Sequence, residues 1–258
     1  MCGDDMKKQK IRYYNSFEDD FVTLKNQEYQ IKNSYKYIHN NIFYKLFSFL
    51  LYIIFYIIGI IYLKLILHVK FKNKRILKKQ NGYFIYANHT QPVGDPFIPG
   101  VLLFPNKPYI IVNAANLKIP IIGKLLPFLG ALPIPNEVHK FKEFMDAINE
   151  LNSKKKNIVI YPEAHVWSYN TFIRDFPTTS FRFPVENNAP VFTMTTTYQK
   201  SKYRRKPNIT IYLDGPFYPN DGETKKEKTK ILHDKVYESL VNNSKYSNYE
   251  YIRYIKKD

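Results

Sequence analysis

Apolar positions along the chain fall into two regimes. Between residues 46 and 63 the run LFSFLLYIIFYIIGIIYL carries neither charge nor proline, and apolar side chains surround any helix built from it. From residue 82 onward, short apolar runs alternate with longer mixed segments. GYFIYAN (82–88), PYIIVN (108–113), NIVIY (157–161), PVFTMTTTY (190–198) and NITIYLDG (208–215) are rich in β-branched and aromatic residues, which predicts buried strands. Pro120 suits a first helical turn and Gly130 a stop, so a helix is expected between them. Residues 139–152 place Phe141, Phe144, Met145, Ile148 and Leu151 on one helical face, and residues 225–242 do the same with Leu232, Val236 and Leu240. Strands alternating with helices predict an α/β fold, a mostly parallel mixed sheet flanked by helices and preceded by an N-terminal membrane-associated hydrophobic helix. Residues 1–40 are polar and weakly periodic; they are expected to be partly ordered at most, with a helix in their second half. The expected organisation is an N-terminal polar segment and anchoring helix over residues 1–79, the helix at about 46–69, followed by an α/β domain over 80–258.

The apolar run is at the short limit for a membrane span. Lys45 and Lys64 flank it, and Tyr44 and Tyr62 suit headgroup depth. A buried helix of a soluble core is the alternative, but a domain of this size rarely encloses a helix that is apolar all round. Insertion, spanning or re-entrant, is therefore expected. The net charge of +17 suits nucleic acid, an anionic membrane surface or an anionic substrate, although a chain rich in Lys, Asn, Ile and Tyr also reflects AT-rich coding. Lys64, Lys70, Lys72, Lys74, Arg75, Lys78 and Lys79 follow the apolar run. That bias places the main domain on the cytoplasmic face, with the lysines near anionic headgroups. Cys2 is the only cysteine, which excludes an intramolecular disulfide and a CxxC zinc site. No secretory signal is visible at the start of the chain.

Candidate chemistry gathers where predicted strands end, as in other open α/β sheets. His89 and Asp95 follow the first predicted strand. A neutral imidazole at His89 suits a general base, and a carboxylate at Asp95 suits fixing its tautomer. Against this, Asp95 followed by Pro96 also reads as a helix cap and first turn. After the strand at 157–161 come Glu163, His165 and Arg174, with Arg174 able to hold a phosphate by a fork of donors. An ordinary Glu–Arg surface pair is the plainer reading. Trp167 reads as core packing or an interfacial anchor. The apolar, proline-rich stretch 115–137 suits a surface facing lipid or a chain-binding groove, and equally a core helix and strand.

In this order and spacing, the stretches NHTQPVGD, IPIIG with LGALPI, and YPEAHV resemble the motifs of the glycerolipid acyltransferase family, with a weaker echo in NNAPVFTMTT. The resemblance covers about residues 60–215. It implies His89 as the base, Asp95 as the orienting acid and Glu163 near the acceptor, and family members carry a membrane-embedded helix before the first motif. The chain departs from the family pattern in three ways. Five residues separate His89 from Asp95 where the family has four, and Pro92 with Gly94 is expected to bulge and restore the geometry. Pro135 and Asn136 stand where the second motif ends in arginine. Ala164, His165 and Val166 replace the Gly-Thr-Arg of the third motif. The two missing arginines help hold the acceptor's phosphate in the family; Arg174, Arg182, Lys118 and Lys124 are the candidates to replace them, and His165 is expected to contact the acceptor headgroup.

The resulting expectation is a membrane-bound acyltransferase acting in phospholipid biosynthesis or remodelling. Its partners are the bilayer, an acyl-CoA or acyl carrier protein donor and a lysolipid acceptor, with no cofactor and no metal. Backbone donors near the second motif would hold the oxyanion. A second reading is a basic lipid-binding membrane protein that kept the fold and lost the reaction. A nucleic-acid binder lacks a recognised motif, and its charge would lie beside an apolar segment instead of along a groove.

Overall fold

The computed structural model describes residues 9–22, 29–32 and 34–257. Cys2 and the start of the chain lie outside them. In chain order the elements are β1 (Lys10–Tyr14), α1 (Ile42–Ile61), β2 (Val69–Lys72), β3 (Phe84–Ala87), α2 (Gly94–Leu103), β4 (Tyr109–Asn113), α3 (Ile122–Leu125), β5 (Ala131–Ile134), α4 (Val138–Ser153), β6 (Ile158–Ile160), α5 (Arg182–Glu186), β7 (Val191–Gln199), β8 (Asn208–Phe217), α6 (Lys225–Ser244) and β9 (Ile252–Lys256).

Seven strands form one sheet in the order β2-β8-β7-β3-β6-β4-β5. Every pairing is parallel except β7 with β8. Strand β3 is fully buried, and its side chains alternate between two cores, as the period of a strand dictates. Phe84 and Tyr86 join the layer under α4 and α6, where Phe144, Ile148, Val236 and Leu240 are buried. Ile85 packs on the opposite side with Leu63, Ile98 and Phe192. The mostly parallel mixed sheet with helices on both faces is the fold expected from the alternating pattern. All five predicted strands form, as do the helices predicted at 139–152 and 225–242; the second opens on a capping box between Thr224 and Glu227.

Elsewhere the structure departs from expectation. The helix expected from Pro120 to Gly130 is only the four residues of α3. Ile121 has φ +63, and a side chain at Gly123 would sit 2.3 Å from the Leu117 carbonyl oxygen, so the backbone folds back on itself there. No helix precedes α1 among the described residues; instead β1 pairs in parallel with β9, Lys10 opposite Ile252. That strand lacks a pattern of its own because its partner lies at the other end of the chain. The boundary expected at residues 79 and 80 falls between β2 and β3, two strands of a single sheet.

Helix α1 begins at Asn41, whose side chain accepts from the amides of Phe43 and Tyr44, and it continues as a π turn over Tyr62–Ile66. One stripe docks on the domain along the whole length of the helix. Tyr44 stacks on Phe128 at 4.5 Å, Tyr52 donates from its hydroxyl to the Gly100 carbonyl at 2.8 Å, and Phe55 stacks on Phe97 at 4.4 Å. At Gly59 an added Cβ would lie 2.9 Å from Phe97 and 3.0 Å from Val101, so only glycine permits this approach to α2. The opposite stripe, including Leu46, Leu50, Ile54, Ile57 and Ile61, is exposed. Substituting Gly59→Leu is expected to cost about 1–3 kcal/mol through overpacking, read as a lower thermal unfolding midpoint in detergent. An unmoved midpoint would mean that α1 does not dock on α2.

Candidate active site

Strand β3 lies between β7 and β6, so the residues that follow it are gripped from both sides. On the β7 side, Asn88 forms a two-way amide clasp with Thr196, accepting from its N–H at 2.7 Å and donating to its carbonyl at 3.0 Å. The Tyr198 hydroxyl donates to Thr90 Oγ1 at 2.7 Å and accepts from Gln91 Nε2 at 2.9 Å. On the β6 side, the amides of Trp167 and Tyr169 donate to the carbonyls of His89 and Thr90 at 3.0 and 2.9 Å. Glu163 Oε2 accepts from the His89 amide at 3.0 Å. Held this way, the backbone of 88–91 has no freedom to carry the imidazole elsewhere.

His89 Nδ1 lies 2.7 Å from Asp95 Oδ2, and the same oxygen accepts from the Gln91 amide at 2.9 Å. The Asp95 side chain is 1% exposed and that of His89 is 20% exposed. The carboxylate is therefore sealed behind a ring that still reaches the surface. Nε2 has no hydrogen-bond partner among the described residues, so it is free to take a proton. Burial pushes the Asp95 carboxyl up from its ordinary range, and the His89 ring and neighbouring amides pull it part of the way back. Tyr161 stacks on the His89 ring at 4.5 Å and 27°.

The additional residue between His89 and Asp95 does not separate them. A turn at Pro92 and Val93 absorbs it, and α2 begins at Gly94. Glycine serves here for space and not, as expected, for unusual backbone angles: a Cβ would lie 3.0 Å from Gln91 and 3.1 Å from Leu67. Nor does Asp95 cap its own helix; it is inside the first turn of α2, and its side chain faces back to His89 and Gln91.

Glu163 and Arg174, expected at the acceptor, are buried and bound to each other at 3.3 Å. Glu163 Oε1 also accepts from the Arg174 amide at 2.9 Å. The guanidinium donates to the carbonyls of Phe17 and His165 and lies 4.7 Å over the Trp167 ring. Both residues therefore brace the loop that holds His89, and neither has a surface to offer a ligand. Trp167 is core, as its plainer reading had it: fully buried, packed on Tyr14, Phe21 and Tyr254, with Nε1 donating to the Asp19 carbonyl at 2.8 Å. The ring of His165 lies 3.9 Å from Glu18 and 3.8 Å from Asp20, beside the N-terminal segment. Ala164, at φ +59, holds a left-handed turn in the position where the resembling motif carries glycine.

Among the other candidates, Lys118 covers the Tyr29 ring at 4.5 Å and Lys124 is exposed on α3. Arg182 lies over Phe141 at 4.9 Å, 3.7 Å from Glu186. It lines a cleft of about 520 Å³ with Pro135 and Asn136. Sequence reasoning missed Tyr161, Tyr198, Thr90 and Gln91. The two tyrosines fall within predicted strands, 157–161 and 190–198, and their place near the carboxyl ends was the available signal.

A family model described as Acyltransferase matches residues 68–197, half of the chain, and its span includes His89, Asp95, Glu163 and Arg174. Among curated proteins none matches. Among solved structures, the 1-acyl-sn-glycerophosphate (LPA) acyltransferase PlsC from Thermotoga maritima is similar in fold. The similarity covers 78% of this chain and 97% of that one, with a TM-score of 0.50 and 15% sequence identity. A match across β2 to β7, the strands that build and brace the dyad, places this chain in the acyltransferase family.

Proposed function

We propose that the chain moves a fatty acyl group from a thioester, on CoA or acyl carrier protein, to a hydroxyl of a lysophospholipid or related glycerolipid at a membrane surface. The carrying observation is the 2.7 Å contact between His89 Nδ1 and buried Asp95, with Nε2 free on a partly exposed ring. With Nδ1 protonated and held by the carboxylate, Nε2 takes the proton of the acceptor hydroxyl as its oxygen attacks the thioester carbonyl. The tetrahedral intermediate collapses with loss of the C–S bond, and the imidazolium returns the proton to the departing thiolate. Asp95 stays ionised throughout. A longer His–Asp spacing would argue for a non-catalytic lipid binder if it kept the two side chains apart, and they meet at 2.7 Å.

The exposed stripe of α1 supports anchoring in one leaflet. The helix is about 30 Å long and docks on the domain from end to end. A bilayer could not surround it without also enclosing the domain, so it rests at the interface with its outer stripe in lipid. For the acceptor's phosphate, Arg182 is the favoured ligand. It shares a cleft with Pro135 and Asn136, where the resembling family carries arginine, whereas Arg174 is occupied by Glu163.

Replacing His89→Ala is expected to lower acyl transfer by about 10²–10⁴-fold without unfolding the protein, measured by thiol release from acyl-CoA or acyl carrier protein with a lysolipid acceptor. Equal release from both proteins would leave the lipid-binding reading. For Asp95→Asn the effects on activity and stability oppose each other. The carboxyl is raised in the folded state, so its contribution to stability is present at low pH and is lost as pH rises through the folded value. The asparagine variant should therefore lose activity yet unfold at a higher temperature than wild type near neutral pH, with the difference shrinking toward the ordinary carboxylate range; paired thermal melts across pH check this. Changing Arg182→Ala should raise the KM for a phosphate-bearing acceptor by about tenfold and leave that for the thioester unchanged, in line with loss of one charge-assisted contact.

A further inference from the structure

Helix α2 contains Pro99 in its interior, four residues after Asp95. The N–H that would close the helical bond to the Asp95 carbonyl belongs to residue 99, and proline has none. The pyrrolidine ring also crowds the carbonyl at i−4 and turns it away from the helix axis. That carbonyl is met by the Tyr161 hydroxyl at 2.8 Å. The ring of the same tyrosine lies against His89 at 4.5 Å. One side chain from the end of β6 thus touches both members of the dyad, the backbone of one and the ring face of the other.

The geometry points to Tyr161 as a positioning residue for the dyad: its hydroxyl replaces the helix donor that Pro99 removes, fixing the backbone of Asp95, while its ring fixes the plane of His89. This rests on the proposed role of His89 as base. The side chain of Asp95 and its backbone carbonyl belong to one residue, so a carbonyl free to swing lets the carboxylate swing as well. Among the described residues, its only other backbone tie outside the helical ladder is the Asp95 N–H to the Gln91 carbonyl at 2.9 Å, on the opposite side of the residue. Tyr161 and Pro99 are consequently coupled. A tyrosine hydroxyl at position 161 matters because proline stands at 99, and an N–H at 99 would make it dispensable.

The test is a double-mutant cycle of Tyr161→Phe and Pro99→Ala in the full chain, with thermal melts confirming that each variant is folded. Phenylalanine keeps the stack and removes the donor. In the wild-type background it is expected to lower kcat by about two- to tenfold, the worth of one net hydrogen bond, with KM for donor and acceptor unchanged. In the Pro99→Ala background the same change should alter kcat by less than about twofold, because the alanine N–H satisfies the Asp95 carbonyl. An unchanged kcat in Tyr161→Phe, or an equal loss in both backgrounds, overturns the proposal. A readout independent of turnover separates this outcome from failure of the functional reading. The ring-nitrogen shifts of His89, identified by their loss in His89→Ala, should move in Tyr161→Phe and return in the double variant. If the wild type transfers no acyl group, the functional reading falls and these shifts alone decide: shifts that stay put in Tyr161→Phe, or fail to return in the double variant, overturn the positioning role.

Discussion

The contact between His89 and Asp95 depends on a backbone that cannot move. Four residues after β3 are clamped by β7 through Asn88 and Tyr198 and by the loop after β6 through Glu163, Trp167 and Tyr169. A strand at the edge of the sheet would have only one neighbour to supply such bonds. The site sits where it does because β3 has a strand on each side whose carboxyl end projects alongside its own. Chain ends contribute too: β1 and β9 pair and wrap aromatic rings around Trp167, whose amide holds the His89 carbonyl.

Buried charge in this molecule serves rigidity before recognition. Asp95, Glu163 and Arg174 are all buried, and each is held by several partners. Moving such groups out of water is costly, and breaking one partner leaves the other unpaired. A ligand that had to open the Glu163–Arg174 pair would meet that penalty each time it bound. Arg182, by contrast, keeps its place on a cleft open to solvent beside Asn136.

Much of the fold was legible because it is encoded locally. The five central strands announce themselves by short apolar runs, and α4 and α6 by apolar stripes that end up facing the sheet. Misreadings arose where a distant partner or local crowding overrode the pattern. Residues 10–14 show no strand signal strong enough to notice, yet they pair with residues 252–256. The stretch around Pro120 looks like a helix start, but Ile121 adopts a positive φ and the chain turns instead. At the site, His89 and Asp95 were visible as residue types at a suggestive spacing. Glu163 and Arg174 were visible as well, but a sequence displays charge without displaying burial, and the plainer reading of a surface pair missed that the two are buried against each other.

The sequence by itself determined the sheet's principal strands and the apolar helix, because each is a matter of residue type and short-range period, and its motifs marked His89 and Asp95 as candidates without showing that they meet. Only the tertiary structure decided that α1 lies along the domain, that Glu163 grips the backbone of His89 across 74 residues and that Tyr161 reaches the Asp95 carbonyl across 66. Those outcomes depend on which strands become neighbours and on how closely two backbones approach, quantities that exist only once the sheet has assembled.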